Sequence, residues 1–115
     1  MISTDGRPVI AILPGSRQQE INVMLPVMLE MVDEFPEYQF IVAEAPTQHP
    51  EYYSSILEGK DVKTVRGRMH DLLRISAAAM VTSGTATLET ALFKVPEVVC
   101  YKGGWISYFI ARRLV

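Results

Sequence analysis

The chain has 115 residues, 49% hydrophobic and 21% charged, a balance that fits one compact α/β-sized domain with a core and leaves no room for a second. Its net charge of −2 supplies no basic excess to neutralise a run of phosphates, which argues against nucleic acid as a partner. Cys100 is the single cysteine, so an internal disulfide is excluded; its place in Val98-Val99-Cys100 reads as a small core residue in a reducing, cytoplasmic setting.

In chain order, residues 1–7 read as a polar lead-in or interdomain linker, without the charged-then-apolar sequence of a signal peptide. Pro8 to Leu13 is a nearly all-apolar run closed by Pro14-Gly15, which predicts a strand buried on both faces. The period then changes. Ile21, Met24, Leu25, Met28, Leu29 and Val32 follow the helical series, so Arg17 to Glu34 presents one apolar stripe to a core. Pro26 interrupts it at a cost of ~3 kcal/mol, predicting either a kink or a short first turn with a second helix beginning near Asn22 to Met24. Tyr38 to Ala43 reads as strand, Pro46 to Pro50 as an unpatterned loop, Glu51 to Leu57 as helix, Val62 to Val65 as strand and Met69 to Ile75 as a short helix. Ala77 to Thr82 then reads as strand, Thr85 to Phe93 as helix and Glu97 to Tyr101 as strand, before a last helix beginning near Trp105. The end of the sequence lies in apolar, periodic Ile110-Ala111-Arg112-Arg113-Leu114-Val115 with no helix-stop signal, so residues 8–115 are expected to be a truncated domain.

Strands alternating with helices through short connections imply right-handed βαβ units. The expected fold is α/β: a Rossmann-like, doubly wound, mainly parallel sheet with helices on both faces. In a 3-2-1-4-5 strand order, the loops after the first and fourth strands would flank the topological switch point, where such sheets bind ligands.

Those two loops carry the unusual residues. In Leu13-Pro14-Gly15-Ser16-Arg17-Gln18-Gln19-Glu20, glycine permits a tight strand-to-helix turn whose N–H groups suit an anion. Ser16 with Gln19 also matches a capping box, so the turn reads equally as a well-made helix start. Arg17 opposes the helix dipole, a position that makes sense if it serves a ligand phosphate; a surface pair with Glu20 is the alternative. In Thr82-Ser83-Gly84-Thr85-Ala86-Thr87-Leu88-Glu89, small side chains allow a ligand close to the backbone, while Ser83 or Thr85 also fits a simple N-cap. Glu89 completes no capping box and reads either as an exposed acid in the first helical turns or as an acceptor for a ribose diol.

Other features are plainer. Gly67-Arg68-Met69-His70 follows the third strand, where its backbone fits one side of a nucleotide base; the alternative is a helix start with Arg68 and His70 exposed. His49 and His70 are isolated, so no metal is expected, and no G-x-G-x-x-G or Walker fingerprint points to a dinucleotide or P-loop cofactor. Trp105 to Leu114 is aromatic and basic, a composition that fits either an anionic membrane surface or burial against further protein. With no run of about 18 apolar residues, membrane contact is expected to be peripheral.

The wording LPGSRxxEI followed by Leu25-Pro26, then SGTATLE, then Pro96 to Tyr101 and Ala111-Arg112-Arg113-Leu114-Val115, resembles the lipid-A-disaccharide synthases from about Pro8 to the last residue. The resemblance implies one half of a GT-B fold, the C-terminal, donor-binding one. It implies metal-independent transfer of 2,3-diacylglucosamine from its UDP donor to 2,3-diacylglucosamine 1-phosphate, giving the β-1,6 disaccharide of lipid A. It also implies that Gly15, Ser16 and Arg17 meet the diphosphate, with Arg17 stabilising the leaving group. Ser83, Gly84, Thr85, Ala86 and Thr87 would wrap phosphate and sugar, and Glu89 would hold the ribose. The general base and acceptor site would belong to an N-terminal half, which makes the fragment alone inactive, and the work would lie at the cytoplasmic face of the inner membrane. Another GT-B enzyme of UDP-N-acetylglucosamine, a transferase or 2-epimerase, would share a glycine-rich turn and the ribose-binding glutamate, but the SGTATLE wording and the early GSR argue against it. A non-catalytic partner-binding α/β module would need acidic strand ends where Leu13-Pro14-Gly15 stands.

Overall fold

A computed structural model describes residues 4–15, 17–82, 97–101 and 104–107. Six strands and three helices are described, in the order β1 (Val9–Leu13), α1 (Gln18–Glu34), β2 (Gln39–Glu44), α2 (Pro50–Leu57), β3 (Lys63–Arg66), α3 (Met69–Ile75), β4 (Ser76–Thr82), β5 (Glu97–Tyr101) and β6 (Gly104–Ser107). They form one sheet of order β3-β2-β1-β4-β5-β6, parallel throughout except for β6. The reversal of winding falls between β1 and β4, as expected for a doubly wound sheet.

Alternation along the strands divides the core in two. Ile12, Phe40, Val42 and Met80 face α1 and Tyr53 of α2, whereas Val9, Ala11, Leu13, Ile41, Ala79 and Val81 face Leu72 and Leu73 of α3. β1 is therefore covered on both sides, which is why it reads as a continuous apolar run. The stripe predicted for α1 is buried at all six of its positions. α3 runs into β4 with no intervening loop: the Ser76 N–H donates to the Leu73 carbonyl, and the Ser76 hydroxyl donates to the Leu72 carbonyl at 2.6 Å. The hydroxyl thus takes up a carbonyl that the ending helix leaves open.

Two expectations need correction. Pro26 does not divide the first helix, which is continuous over Gln18–Glu34. Pro26 and Asn22 are both exposed, so the Asn22 carbonyl, which loses its amide partner to proline, is on the water-facing side. The burial of the opposite face offsets the remaining cost. The helix expected from Trp105 is also replaced: Gly104–Ser107 is a strand antiparallel to β5, with Tyr101 opposite Gly104 and Cys100 opposite Trp105. Only Lys102 and Gly103 separate the two strands, and a two-residue, glycine-containing connection between β-rich runs is a hairpin signal. The helix expected over Thr85 to Phe93 and the aromatic-basic stretch after Ser107 lie outside the described residues.

The polar lead-in is docked from Asp5 onward. The Asp5 amide donates to the buried Gln39 Oε1 at 3.0 Å, and the Arg7 guanidinium donates to the carbonyls of Pro36 (2.9 Å) and Tyr38 (3.1 Å) while pairing with Asp5. This fixes the chain's entry into β1 against the start of β2.

Candidate functional site

All parallel strands point their carboxyl ends to one edge, so the loops after β1, β2, β3 and β4 share it. Leu13, the last residue of β1, pairs with Val81, and β4 ends one residue later at Thr82, itself paired with Cys100 of β5, so the two strands end as neighbours. This is the topological switch point, where sheets of this kind bind ligands, and both sequence-selected turns begin there.

The turn after β1 depends on glycine. Gly15 has φ +104°, in the region L side chains avoid, and a Cβ there would meet Glu20 Oε1 at 3.0 Å and Glu20 Cβ and Cδ at 3.2 Å. Arg17 is the N-cap residue of α1, extended and exposed; its carbonyl accepts from the Ile21 N–H at 3.0 Å. Its own N–H donates to Glu20 Oε1 at 3.4 Å. The capping relationship is therefore Arg17 with Glu20, one residue later than the expected Ser16 with Gln19. A guanidinium has no acceptor, so Arg17 cannot return the bond, and only half of a capping box is made. Glu20 is a site-facing residue that the sequence reading placed only as a surface partner. Counting three residues on from Arg17 instead of Ser16 is the signal that finds it.

Chemically, this turn offers helix N–H groups and an exposed guanidinium, a combination suited to phosphate oxygens. Among the described residues the Arg17 guanidinium has no carboxylate partner. The Glu20 carboxylate stands at the Arg17 amide, so a phosphate at that amide requires Glu20 to turn aside.

The turn after β3 is more occupied. Arg68 caps α3 and pairs with Asp71 at 3.3 Å, and Arg74 approaches the same carboxylate at 3.7 Å. Met69 packs against the core beneath the sheet's α3 face. What remains for a flat ligand is chiefly backbone around Gly67, whose φ is +65°.

Beside it is a cluster that the sequence reading missed. Glu44 ends β2 and Arg66 ends β3, and the register sets them opposite one another. Arg66 Nη1 meets Glu44 Oε1 at 3.3 Å, and Nη2 donates to the carbonyls of Pro46, at 3.0 Å, and Gln48. Tyr53, fully buried, accepts a bond from the Ala45 N–H at 2.8 Å; burial pushes its hydroxyl pKa up, and the nearby Glu44 charge adds to this. Glu44 and Arg66 are the only charges in their strands other than Lys63, but pairing them requires knowledge of register.

Ser16, Ser83, Gly84, Thr85, Ala86, Thr87 and Glu89 lie outside the described residues, as does the side chain of Cys100. Among the described residues, no three His, Cys, Asp or Glu side chains gather as metal ligands, and no helix is long and apolar enough to cross a membrane.

The fold defines the class first: a Rossmann-like α/β domain of the kind found in glycosyltransferases. The glycosyltransferase SnogD from Streptomyces nogalater superposes with a TM-score of 0.59 at 26% identity, over 84% of this chain and 26% of that one. Within that class the chain belongs to the lipid-A-disaccharide synthetase family, whose sequence profile matches residues 2–115. It is 42% identical to the lipid-A-disaccharide synthase of Anaeromyxobacter dehalogenans (strain 2CP-C) over 95% of its length, and 40% identical to that of Myxococcus xanthus (strain DK1622) over 94%. It spans about 30% of the length of these relatives.

Proposed function

We propose that this chain is the donor-binding part of a glycosyltransferase that moves 2,3-diacylglucosamine from UDP to 2,3-diacylglucosamine 1-phosphate, forming the lipid A disaccharide. The observation that carries this reading is the Gly15 to Arg17 turn at the switch point of a chain that belongs to the lipid-A-disaccharide synthetase family. Gly15, Ser16 and Arg17 receive the donor diphosphate. Ser83, Gly84, Thr85, Ala86 and Thr87 close around phosphate and sugar, Glu89 accepts from the ribose hydroxyls, and the backbone at Arg68 and Met69 borders the base.

In the reaction the bond from the anomeric carbon to the diphosphate oxygen breaks as an acceptor hydroxyl attacks. UDP departs with growing negative charge, and a guanidinium beside helix N–H groups stabilises that charge more in the transition state than in the ground state. No metal or cofactor is required for this role. The base that takes the acceptor's proton belongs to the part of the family's proteins that this chain does not span, so the chain alone carries out no turnover. Both sugars bear acyl chains, so the reaction belongs at the cytoplasmic face of a membrane, approached peripherally.

Calorimetry or ligand-observed NMR with UDP, UMP and phosphate tests the reading. UDP is expected to bind weakly, Arg17→Ala to weaken UDP and phosphate together, and Glu89→Ala to weaken UDP and UMP but not phosphate. Absence of any UDP-dependent signal at millimolar ligand would sink it.

A further inference from the structure

The carboxyl edge beyond the switch point contains two separate loops: residues 45–49 after β2 and residues 67–68 after β3. They do not share a secondary-structure element, yet Arg66, the last residue of β3, bonds the first of them directly. The Arg66 fork reaches Glu44 on the neighbouring strand and the carbonyls of both Pro46 and Gln48. The Gln48 N–H in turn donates to the Ala45 carbonyl at 3.1 Å, so the loop is closed on itself where Arg66 grips it. From beneath, the Tyr53 hydroxyl holds the Ala45 N–H. Pro46 also borders the Gly67 turn: its Cγ is 3.7 Å from the place a Cβ on Gly67 would occupy.

We infer that Arg66 is a positioning residue for nucleotide binding: its guanidinium locks the loop after β2 to the turn after β3, setting the height of the backbone that borders the base. The inference rests on the donor-binding reading above and adds a residue outside every motif from which that reading was drawn. Three properties suit Arg66 to the task. A guanidinium fork reaches several acceptors in one plane, which an ammonium does not. The Glu44 carboxylate, only 9% exposed, holds the fork in place from the strand side. Arg66 also immediately precedes Gly67, so any tilt of its backbone is passed directly to the turn. Preorganised loops bind more tightly because the ordering cost is met before the ligand arrives.

The test uses the 115-residue chain, ¹⁵N-labelled, as wild type, Arg66→Met, Arg66→Lys and Lys60→Met. Lys60 pairs with the exposed Asp33 at 3.6 Å and serves as a control for loss of one surface ion pair away from this edge. Amide exchange is read at Ala45, Gln48 and Gly67, and dissociation constants are measured for UDP, UMP and inorganic phosphate. Arg66→Met is expected to speed exchange at those three amides and to raise the UDP and UMP constants roughly five- to tenfold, leaving phosphate affinity and Lys60→Met values near wild type. Arg66→Lys, able to keep Glu44 but not both carbonyls, is expected to fall between. A general loss of structure would move phosphate affinity as well, so equal weakening of all three ligands overturns the inference. Faster exchange with unchanged UDP affinity also overturns it while leaving the donor-binding reading intact. A wild type that binds no UDP removes that reading and this inference with it.

Discussion

Replacing Gly15 by alanine tests whether the turn after β1 is set by backbone conformation and by Glu20 together. At φ +104° an L side chain is strained by about 1–2 kcal/mol. The new Cβ would also lie 3.0 Å from Glu20 Oε1 and 3.2 Å from Glu20 Cβ and Cδ, so Glu20 must leave its rotamer or the turn must shift, adding about 1 kcal/mol. The sum is roughly 2–3 kcal/mol, which at a urea dependence of about 1–3 kcal/mol per molar lowers the unfolding midpoint by roughly 1 M. Introducing the same change on a Glu20→Ala background separates the two parts. The contacts to Oε1 and Cδ are then gone while that to Cβ remains, so Gly15→Ala should cost about 0.5 kcal/mol less there than in the wild type. A midpoint unmoved by Gly15→Ala would refute the backbone argument. A cost that is the same on both backgrounds would refute the claim that Glu20 folds under the turn.

Two further outcomes concern the rest of the fold. The Asp5 carboxyl is lowered from 3.8 to about 2, first by the Arg7 side chain and then by the Arg7 N–H. A lowered carboxylate contributes stability that is present above its unfolded value near 3.8 and is lost as pH falls through about 2; a ¹³C titration of Asp5 should show that midpoint, and Arg7→Met should return it toward the ordinary carboxylate range. An unperturbed midpoint in the wild type would mean that the docked lead-in is not held in solution. Pro26→Ala restores an N–H facing the Asn22 carbonyl and removes the ring from an exposed helix position, so it should raise stability by about 1–2 kcal/mol in a denaturant titration; a loss of stability would show that proline's rigidity outweighs the missing bond.

Much of this architecture is legible because each apolar run keeps one period. The all-apolar β1 is a strand covered on both faces, and the six-residue stripe of α1 is buried throughout. Where the reading failed, two signals competed. At Pro26, local propensity argued for a kink or a break; the break is overturned, because the offending ring is on the water side and the tertiary packing lies opposite. At Trp105, aromatic and basic residues suggested an amphipathic helix, while the short Lys102-Gly103 connection that makes a hairpin was given no weight. The turn at Gly15 to Arg17 was visible because glycine and a dipole-opposing arginine are locally odd. Glu20 was displaced by a shift of one residue in assigning the cap.

The Glu44, Arg66 and Tyr53 cluster is a different case, because no local pattern contains it. Glu44 and Arg66 meet only because every β2–β3 pair carries the same offset of 22 residues, from Ile41↔Lys63 to Glu44↔Arg66. β3 is an edge strand, with Lys63, Thr64 and Arg66 exposed and Val65 half-buried, so its apolar pattern does little to choose that offset. A slip of one residue would set Glu44 against Val65 or Gly67, leaving a nearly buried carboxylate without its cation, which costs far more than an exposed pair gains. The charge pair therefore specifies the register of β3. Register in turn decides where the Gly67 turn emerges at the carboxyl edge. The same contact that completes the sheet thereby sets the far border of the proposed nucleotide crevice, which is why the strand least determined by hydrophobic pattern ends in an arginine that bonds a carboxylate and two loop carbonyls.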